Sequence, residues 1–210
     1  MKITKFEHAC FAVDHENQSL IIDPGSLTTN LVVPDNVVGV VITHEHTDHR
    51  DIAQLERIIA ANPNAIIVGH SDTIGDLDAT FTLQPVQATN TIQLGSFTLS
   101  FYGGDHAIID SSLTPITNLG VMINKLIYYP GDSFSPPNSP VDTLALPISA
   151  PWLKISEVAN FARQVSPRIA FPTHDAITSR AGKQLYDRLV PQLLKDTDIK
   201  YQRLVEPLDI

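Results

Sequence analysis

The sequence predicts an α/β protein with interleaved strands and helices. Two observations carry that prediction. Val37 to Ile42 is nearly continuous Val and Ile, the composition of a strand buried on both faces. Directly after it, Ile52, Leu55, Ile58 and Ile59 recur at helical spacing. The alternation returns in the second half, and no linker-like stretch separates the halves, so one domain over residues 1–210 is expected.

Taken in order, apolar β-rich runs cover Ile3 to Val13, Ser19 to Asp23, Val37 to Thr43 and Ala65 to Gly69. Asp14-His15-Glu16-Asn17 reads as a polar hairpin turn. Thr91 to Leu94 and Phe97 to Tyr102 flank Gly95-Ser96, a second hairpin signal. Leu119 to Asn124 and Leu126 to Tyr129 are strand-like about a turn at Asn124-Lys125, and Pro130 to Pro140 is loop. Leu144 to Leu146 is a short strand. Ser156 is expected to cap a helix that carries Val158, Phe161, Ala162 and Val165 on one face and stops at Pro167. Arg168 to Phe171 is a further strand, and a last helix is expected near Gly182 to Leu194.

Composition excludes several classes of partner. Apolar residues make up 43% and charged residues 18% of 210, which is globular rather than disordered. Lys and Arg total 14 against 23 Asp and Glu, a net charge of −9, and no basic arm is visible. Nucleic acid and anionic membranes are therefore poor partners, and a small-molecule substrate is expected. The single cysteine, Cys10, rules out an intrachain disulfide and a multi-cysteine zinc site, and its apolar setting reads as a buried hydrophobe. No run approaches the roughly 18 apolar residues of a membrane span, so a cytoplasmic protein is expected. A homo-oligomer is compatible with all of this.

The chemistry concentrates in Thr43 to His49, which reads Thr-His-Glu-His-Thr-Asp-His. His44, His46, Asp48 and His49 sit between a buried strand and a helix. Neutral imidazoles and a carboxylate suit zinc, manganese or iron, and four such groups at one strand end have little value as core. The segment lacks the His-Glu-x-x-His of a zincin helix, because Asp48 stands where the second His would fall.

His-x-His-x-Asp-His resembles the signature of the metallo-β-lactamase superfamily. Further segments are similar to that family: Ile21-Ile22-Asp23-Pro24-Gly25, Asp105-His106, Tyr129-Pro130-Gly131-Asp132-Ser133 and Pro172-Thr173-His174. The opening, through His8-Ala9-Cys10-Phe11, is similar to the small single-domain branch that includes L-ascorbate-6-phosphate lactonase. One departure is that His106 is followed by Ala-Ile-Ile, where small residues and Gly are common. Its 25-residue separation from Asp132 needs a long loop near Ile108 to Thr117.

The resemblance implies a four-layer αββα sandwich, two mixed sheets back to back with helices outside. It implies a metal-dependent hydrolase with two divalent ions, Zn2+ first, Mn2+ or Fe2+ also tolerated. His44, His46 and His106 would hold one ion. Asp48, His49 and His174 would hold the other. Asp132 would bridge them beside a shared hydroxide that attacks a small ester, lactone or phosphodiester, with Asp48 helping to orient it. With Asp132 in the equivalent segment and Cys10 far off, true β-lactamase activity is disfavoured. A nuclease-type phosphodiesterase acting on RNA or nucleotides would need the basic arm this chain lacks. A non-catalytic metal-binding role sits badly with a complete ligand set, and an oxygen-reducing di-iron centre with His46 in place of a Glu.

Other residues have weaker readings. Asp23 ends a strand before Pro-Gly and is expected to hydrogen-bond a ligand His rather than serve only as a turn carboxylate. His8 lies near the site by resemblance but could be a satisfied core His. His15 reads as solvated. His70 reads as a loop residue beside a helix start, or as pocket lining. Trp152 could be a core anchor or wall the pocket. Lys154 reads first as a surface charge. Asp175 could support its neighbour His174 or cap the next segment.

Overall fold

A computed structural model describes residues 1–210. The chain lays down β1 (Lys2–Lys5), β2 (Phe11–His15), β3 (Gln18–Ile22) and β4 (Val37–Val41), then α1 (Ile52–Ala61), β5 (Ile66–Gly69), the single turn α2 (Ser71–Ile74) and β6 (Leu83–Pro85). After these come β7 (Thr91–Leu94), β8 (Phe97–Asp105), β9 (Thr117–Ile123), β10 (Ile127–Tyr129) and β11 (Thr143–Pro147). The remainder is α3 (Ile155–Val165), β12 (Ile169–Thr173), α4 (Arg180–Leu193), β13 (Lys200–Tyr201) and β14 (Leu208–Asp209).

The strands form two mixed sheets of seven, in the orders β14-β1-β2-β3-β4-β5-β6 and β13-β12-β11-β10-β9-β8-β7. The inner faces meet in one apolar layer that includes Phe11, Ile22, Val41, Phe97, Phe101, Tyr129 and Phe171. Leu55 and Ile58 of α1 pack with Ile42, Ile67 and Ile74 on the outside of the first sheet. Val158, Phe161 and Ala162 of α3 and Val190 of α4 cover Tyr128, Leu144 and Leu146 on the outside of the second. The result is the αββα sandwich. No helix is long and apolar enough to cross a membrane.

Local chemistry explains most element ends. In the hairpin of β2 and β3, His15 pairs with Gln18 around Glu16 and Asn17, both at positive φ. Leu94 pairs with Phe97 around Gly95-Ser96, with Gly95 at φ +56°. Asn124 and Lys125 take the left-handed conformation in the turn before β10. Asp51 caps α1 by accepting from the Gln54 N–H, and Ser179 caps α4 by accepting from the Gly182 N–H. Two expectations need correction. Ser156 does not cap α3; the helix starts two residues earlier than such a cap implies, with Lys154 at the cap and Glu157 accepting the Lys154 N–H at 2.7 Å. A long side chain at the cap position leaves the acceptor role to the third helical residue. Ile52 has helical spacing but is 45% exposed. It opens α1 beside the loop that follows β4, past the strand ends that cover Leu55 and Ile58.

The topology brings one end of both sheets together. β3 and β4 run parallel, and so do β10, β11 and β12. β8 and β10 are each antiparallel to β9, so they point the same way. The loops after β4, β8, β10 and β12 therefore converge. Two close approaches lock this end. The Leu119 N–H donates to the Thr43 carbonyl at 2.9 Å, across the sheets. Gly25 lies against the loop after β4: a Cβ there would stand 1.9 Å from the Asp48 carbonyl oxygen. Backbone cannot yield as a side chain does, so Gly25→Ala is expected to displace Asp48 and His49. We expect about 2–4 kcal/mol of lost stability, read by chemical denaturation, together with impaired metal uptake.

Candidate metal centre

The loop after β4 carries His44, His46, Asp48 and His49, and the ends of β8, β10 and β12 deliver His106, Asp132 and His174. All seven converge. The donor atoms of His44, His46 and His106 lie within 4.8 Å of one another, as do those of His44, His49 and Asp132 and those of His8, Asp48, His49 and His174. His44, His49, His106, Asp132 and His174 are buried. Such a set is costly without a partner for its polar atoms. His49 Nε2, His106 Nε2 and Asp132 Oδ1 are buried with no hydrogen-bond partner at all. All three face the centre, and a divalent cation would satisfy them. The donor set of imidazoles and carboxylates thus fits one or more such ions.

The outer hydrogen bonds fix which nitrogen points inward. His106 Nδ1 donates to the Ala107 carbonyl at 2.6 Å, and His174 Nδ1 to the Ser149 carbonyl at 2.6 Å, which leaves each Nε2 facing the centre. His49 Nδ1 meets Asp23 Oδ2 at 2.7 Å. Thr43 Oγ1 donates to Asp23 Oδ2 at 2.6 Å, so it can only accept from His44 Nδ1 at 3.1 Å. Asp23 is itself completely buried. One carboxylate therefore sets the tautomers of both His44 and His49.

His8 is different. Its Nδ1 accepts the Ala176 N–H at 3.2 Å, so its Nε2 carries hydrogen and donates to Asp48 Oδ2 at 2.9 Å. A nitrogen that donates has no lone pair for an ion, so His8 holds Asp48 and does not itself ligate. The sequence suggested His8 only as a neighbour. The contact spans 40 residues, beyond any local signal.

Asp132 sits at the focus. Its Oδ2 accepts the Trp152 indole N–H at 2.9 Å and lies 3.0 Å from His174 Nε2 and 3.5 Å from His106 Nε2. Its Oδ1 lies 3.3 Å from His49 Nε2. Gly131, at φ +65°, makes this approach feasible, because a Cβ there would fall 2.3 Å from Asn118 Oδ1. That same Asn118 oxygen accepts the Asp132 N–H at 2.9 Å. Trp152 is thus a hydrogen-bond donor to the centre as well as part of its wall.

Other expectations resolve away from the centre. His70 caps α2, its Nδ1 accepting the Asp72 N–H at 3.2 Å. His15 ends β2, half-buried against Phe97. Asp175 is buried and pairs with Arg203 and Lys183, tying the His174 turn to α4 and the C-terminal segment. Cys10 is fully buried, and burial pushes its thiol up to about 12, so it is inert.

Electrostatics divide the centre. Burial pushes the His44 imidazole well below its ordinary value, helped by the nearby His49, and burial lowers His46 too. Burial acts against the charged forms of His49 and His174, but the neighbouring carboxylates outweigh it. Asp132 and Asp23 raise His49, and Asp132, with hydrogen bonds to Asp132 and Asp48, pushes His174 up to about 10. Burial likewise opposes ionisation of Asp48 and Asp132, yet the surrounding imidazoles hold both carboxyls well below the usual range. These directions set the sign for metal uptake. Without an ion, His174 is protonated at neutral pH and His49 is shifted in the same direction, whereas a ligand nitrogen must be free. Uptake is expected to release protons at neutral pH, and affinity to rise with pH until His174 titrates near 10. Calorimetry in buffers of different ionisation enthalpy reads this directly; uptake without proton release would contradict it.

Comparisons with known proteins supply the family. Residues 2–174 match the model of the β-lactamase superfamily domain. Protein Rv0786c of Mycobacterium tuberculosis is 30% identical over 191 residues, covering 89% of each chain. A UPF0173 metal-dependent hydrolase of Xanthobacter autotrophicus is 29% identical over 143 residues, 63% of this chain and 58% of that protein. Among solved structures, the metallo-β-lactamase fold protein YhfI of Bacillus subtilis superposes with a TM-score of 0.72 at 17% identity, covering 99% of this chain and 98% of that one. The fold, the family model and the length of the match to its relatives agree, and the chain belongs to the metallo-β-lactamase superfamily.

Proposed function

We propose that this chain hydrolyses a small ester, lactone or phosphodiester at a two-metal centre. His44, His46 and His106 would surround one ion, Asp48, His49 and His174 the other, with Asp132 between them. The coarser statement, an enzyme of the metal-dependent hydrolase kind with the metallo-β-lactamase fold, rests on the family and on relatives named so. The finer reading rests on one observation above all: three buried ligand atoms, on His49, His106 and Asp132, face one another without partners. Two bound ions, Zn2+ first with Mn2+ or Fe2+ as alternatives for an all-nitrogen-and-oxygen donor set, would supply an ionised water at neutral pH and polarise the bond under attack.

The protein's own groups have distinct parts in this reading. Asp48, partly exposed at 27%, would orient the attacking water while His8 holds its Oδ2. Trp152 keeps Asp132 Oδ2 turned inward. His106 and His174 are held by backbone carbonyls, so their rings need no rearrangement on binding. A small-molecule substrate suits a chain of net charge −9, and one buried cysteine with no disulfide suits the cytoplasm. The test is metal analysis of protein purified without chelator, followed by assays on esters, lactones and phosphodiesters with zinc and with manganese. Two ions per chain and chelator-sensitive turnover are expected. Turnover by metal-free protein would overturn the reading.

A further inference from the structure

Between β8 and β9 the chain makes an eleven-residue excursion, His106 to Ile116, that grows out of a metal-facing side chain. Its base is closed by the His106 N–H donating to the Ile116 carbonyl at 2.9 Å, and the Ala107 N–H donates to the Asp132 carbonyl at 2.8 Å. The loop is thus fixed to the centre at its root. Ile108, Ile109 and Leu113 in it are 68%, 40% and 55% exposed, three of only nine large apolar side chains left exposed in the whole protein. Each leaves two fifths or more of its surface outside the fold, and a connecting loop has no structural need of such residues. A clustered apolar surface of that kind marks a binding site.

Together with His46, His106 and Ile116 these residues line a cleft of about 190 Å3. No Lys or Arg lines it. Arg50, the cation of the His-bearing segment, is committed to Asp76 and to the Thr73 carbonyl. The charged residues next to and within the loop are Asp105 and Asp110. A wider depression of about 660 Å3 over the first sheet contains none of the metal-facing side chains.

We propose that the substrate is a neutral ester carrying one apolar arm, and that this arm lies in the cleft of loop 107–116 while the ester carbonyl meets the centre beside His46 and His106. This inference rests on the hydrolytic reading above and narrows its substrate class. A phosphorylated or otherwise anionic substrate would find no side-chain cation in the cleft, and the only charges the loop brings near it in sequence are the carboxylates of Asp105 and Asp110. The cleft has the volume of roughly six liquid waters, which fits an arm of about six carbons.

Two ester series test it on the metal-loaded enzyme: ethyl esters from acetate to octanoate, and alkyl acetates from methyl to octyl. In one of them kcat/KM is expected to rise about fourfold per methylene and to level off near six carbons. Leu113→Asp should cut the ratio between six-carbon and two-carbon arms at least tenfold at unchanged metal content. Profiles that are flat in both series while esters are hydrolysed overturn the proposal and leave the hydrolase intact. So does turnover of bis(p-nitrophenyl) phosphate with no turnover of esters. If nothing is hydrolysed the hydrolytic reading fails, and a second measurement decides the cleft independently. Methyl NMR of the metal-free protein titrated with 1-hexanol should move the Ile108, Ile109, Leu113 and Ile116 signals ahead of other Ile and Leu signals. Unmoved loop signals overturn the proposal.

Discussion

Replacing Asp132 by alanine is expected to empty the centre of metal and to lower kcat/KM by about 10⁴-fold. The two oxygens of Asp132 reach four members of the site: Oδ2 contacts Trp152, His174 and His106, and Oδ1 faces His49. Its removal takes a ligand from both proposed ion positions at once and takes away the charge that raises His49 and His174. The effect on folding should be smaller. Without the carboxylate the two imidazoles are freed of the pull toward their charged forms, so metal-free Asp132→Ala should lose only about 1–3 kcal/mol. Stability and catalysis are thereby separated: denaturation of the metal-free variant reads the first, metal content and turnover the second. A variant that keeps two ions and full activity would refute the bridging role.

The His44-to-His49 cluster was legible because four ligand-type residues in six positions have no competing structural use. The ends of β8, β10 and β12 were legible only through the resemblance, since a lone His106 or His174 after a strand is an ordinary residue. Strand cores were read well where Val and Ile run together, as in β4. The short edge strands β6, β13 and β14 were not, because two or three residues that pair with a sheet edge carry no period of their own. The direction of the His8 ring was equally hidden. It depends on the Ala176 N–H, 168 positions away, which gives the ring one tautomer and makes it a donor to Asp48. Trp152 was expected to be an anchor or a wall, and its indole N–H adds a bond to Asp132 across 20 positions. Such roles arise from pairing in space, which residue type and spacing do not encode.

Asp23 carries the second large effect. It takes the left-handed conformation, φ +44°, immediately before Pro24, a conformation Asp tolerates better than most residues. That turn aims its carboxylate at the Thr43 N–H at 2.8 Å, the Thr43 hydroxyl and His49 Nδ1. Asp23→Ala leaves these three donors buried and unpaired, which should cost about 3–5 kcal/mol and lower Tm by about 10 °C. Asp23→Asn is the sharper test. Its amide keeps the volume and can still accept one donor, so stability should fall less. With its oxygen kept on the Thr43 N–H, as Asp23 Oδ1 is, its NH₂ group can only donate where Asp23 Oδ2 now accepts from both His49 and Thr43; turned the other way, it leaves the Thr43 N–H unpaired and His49 unchanged. In the first orientation His49 would move its hydrogen to Nε2, the atom that faces the centre, and would cease to be a ligand. Thr43 Oγ1 would lose its acceptor and with it the reason to accept from His44. Metal affinity should therefore fall about 10–100-fold in a protein that remains folded, and ¹⁵N spectra of the imidazoles should show the changed tautomer at His49. If affinity falls while His49 keeps hydrogen on Nδ1, the carboxylate acts through charge alone. If affinity is unchanged, Asp23 only shapes the turn.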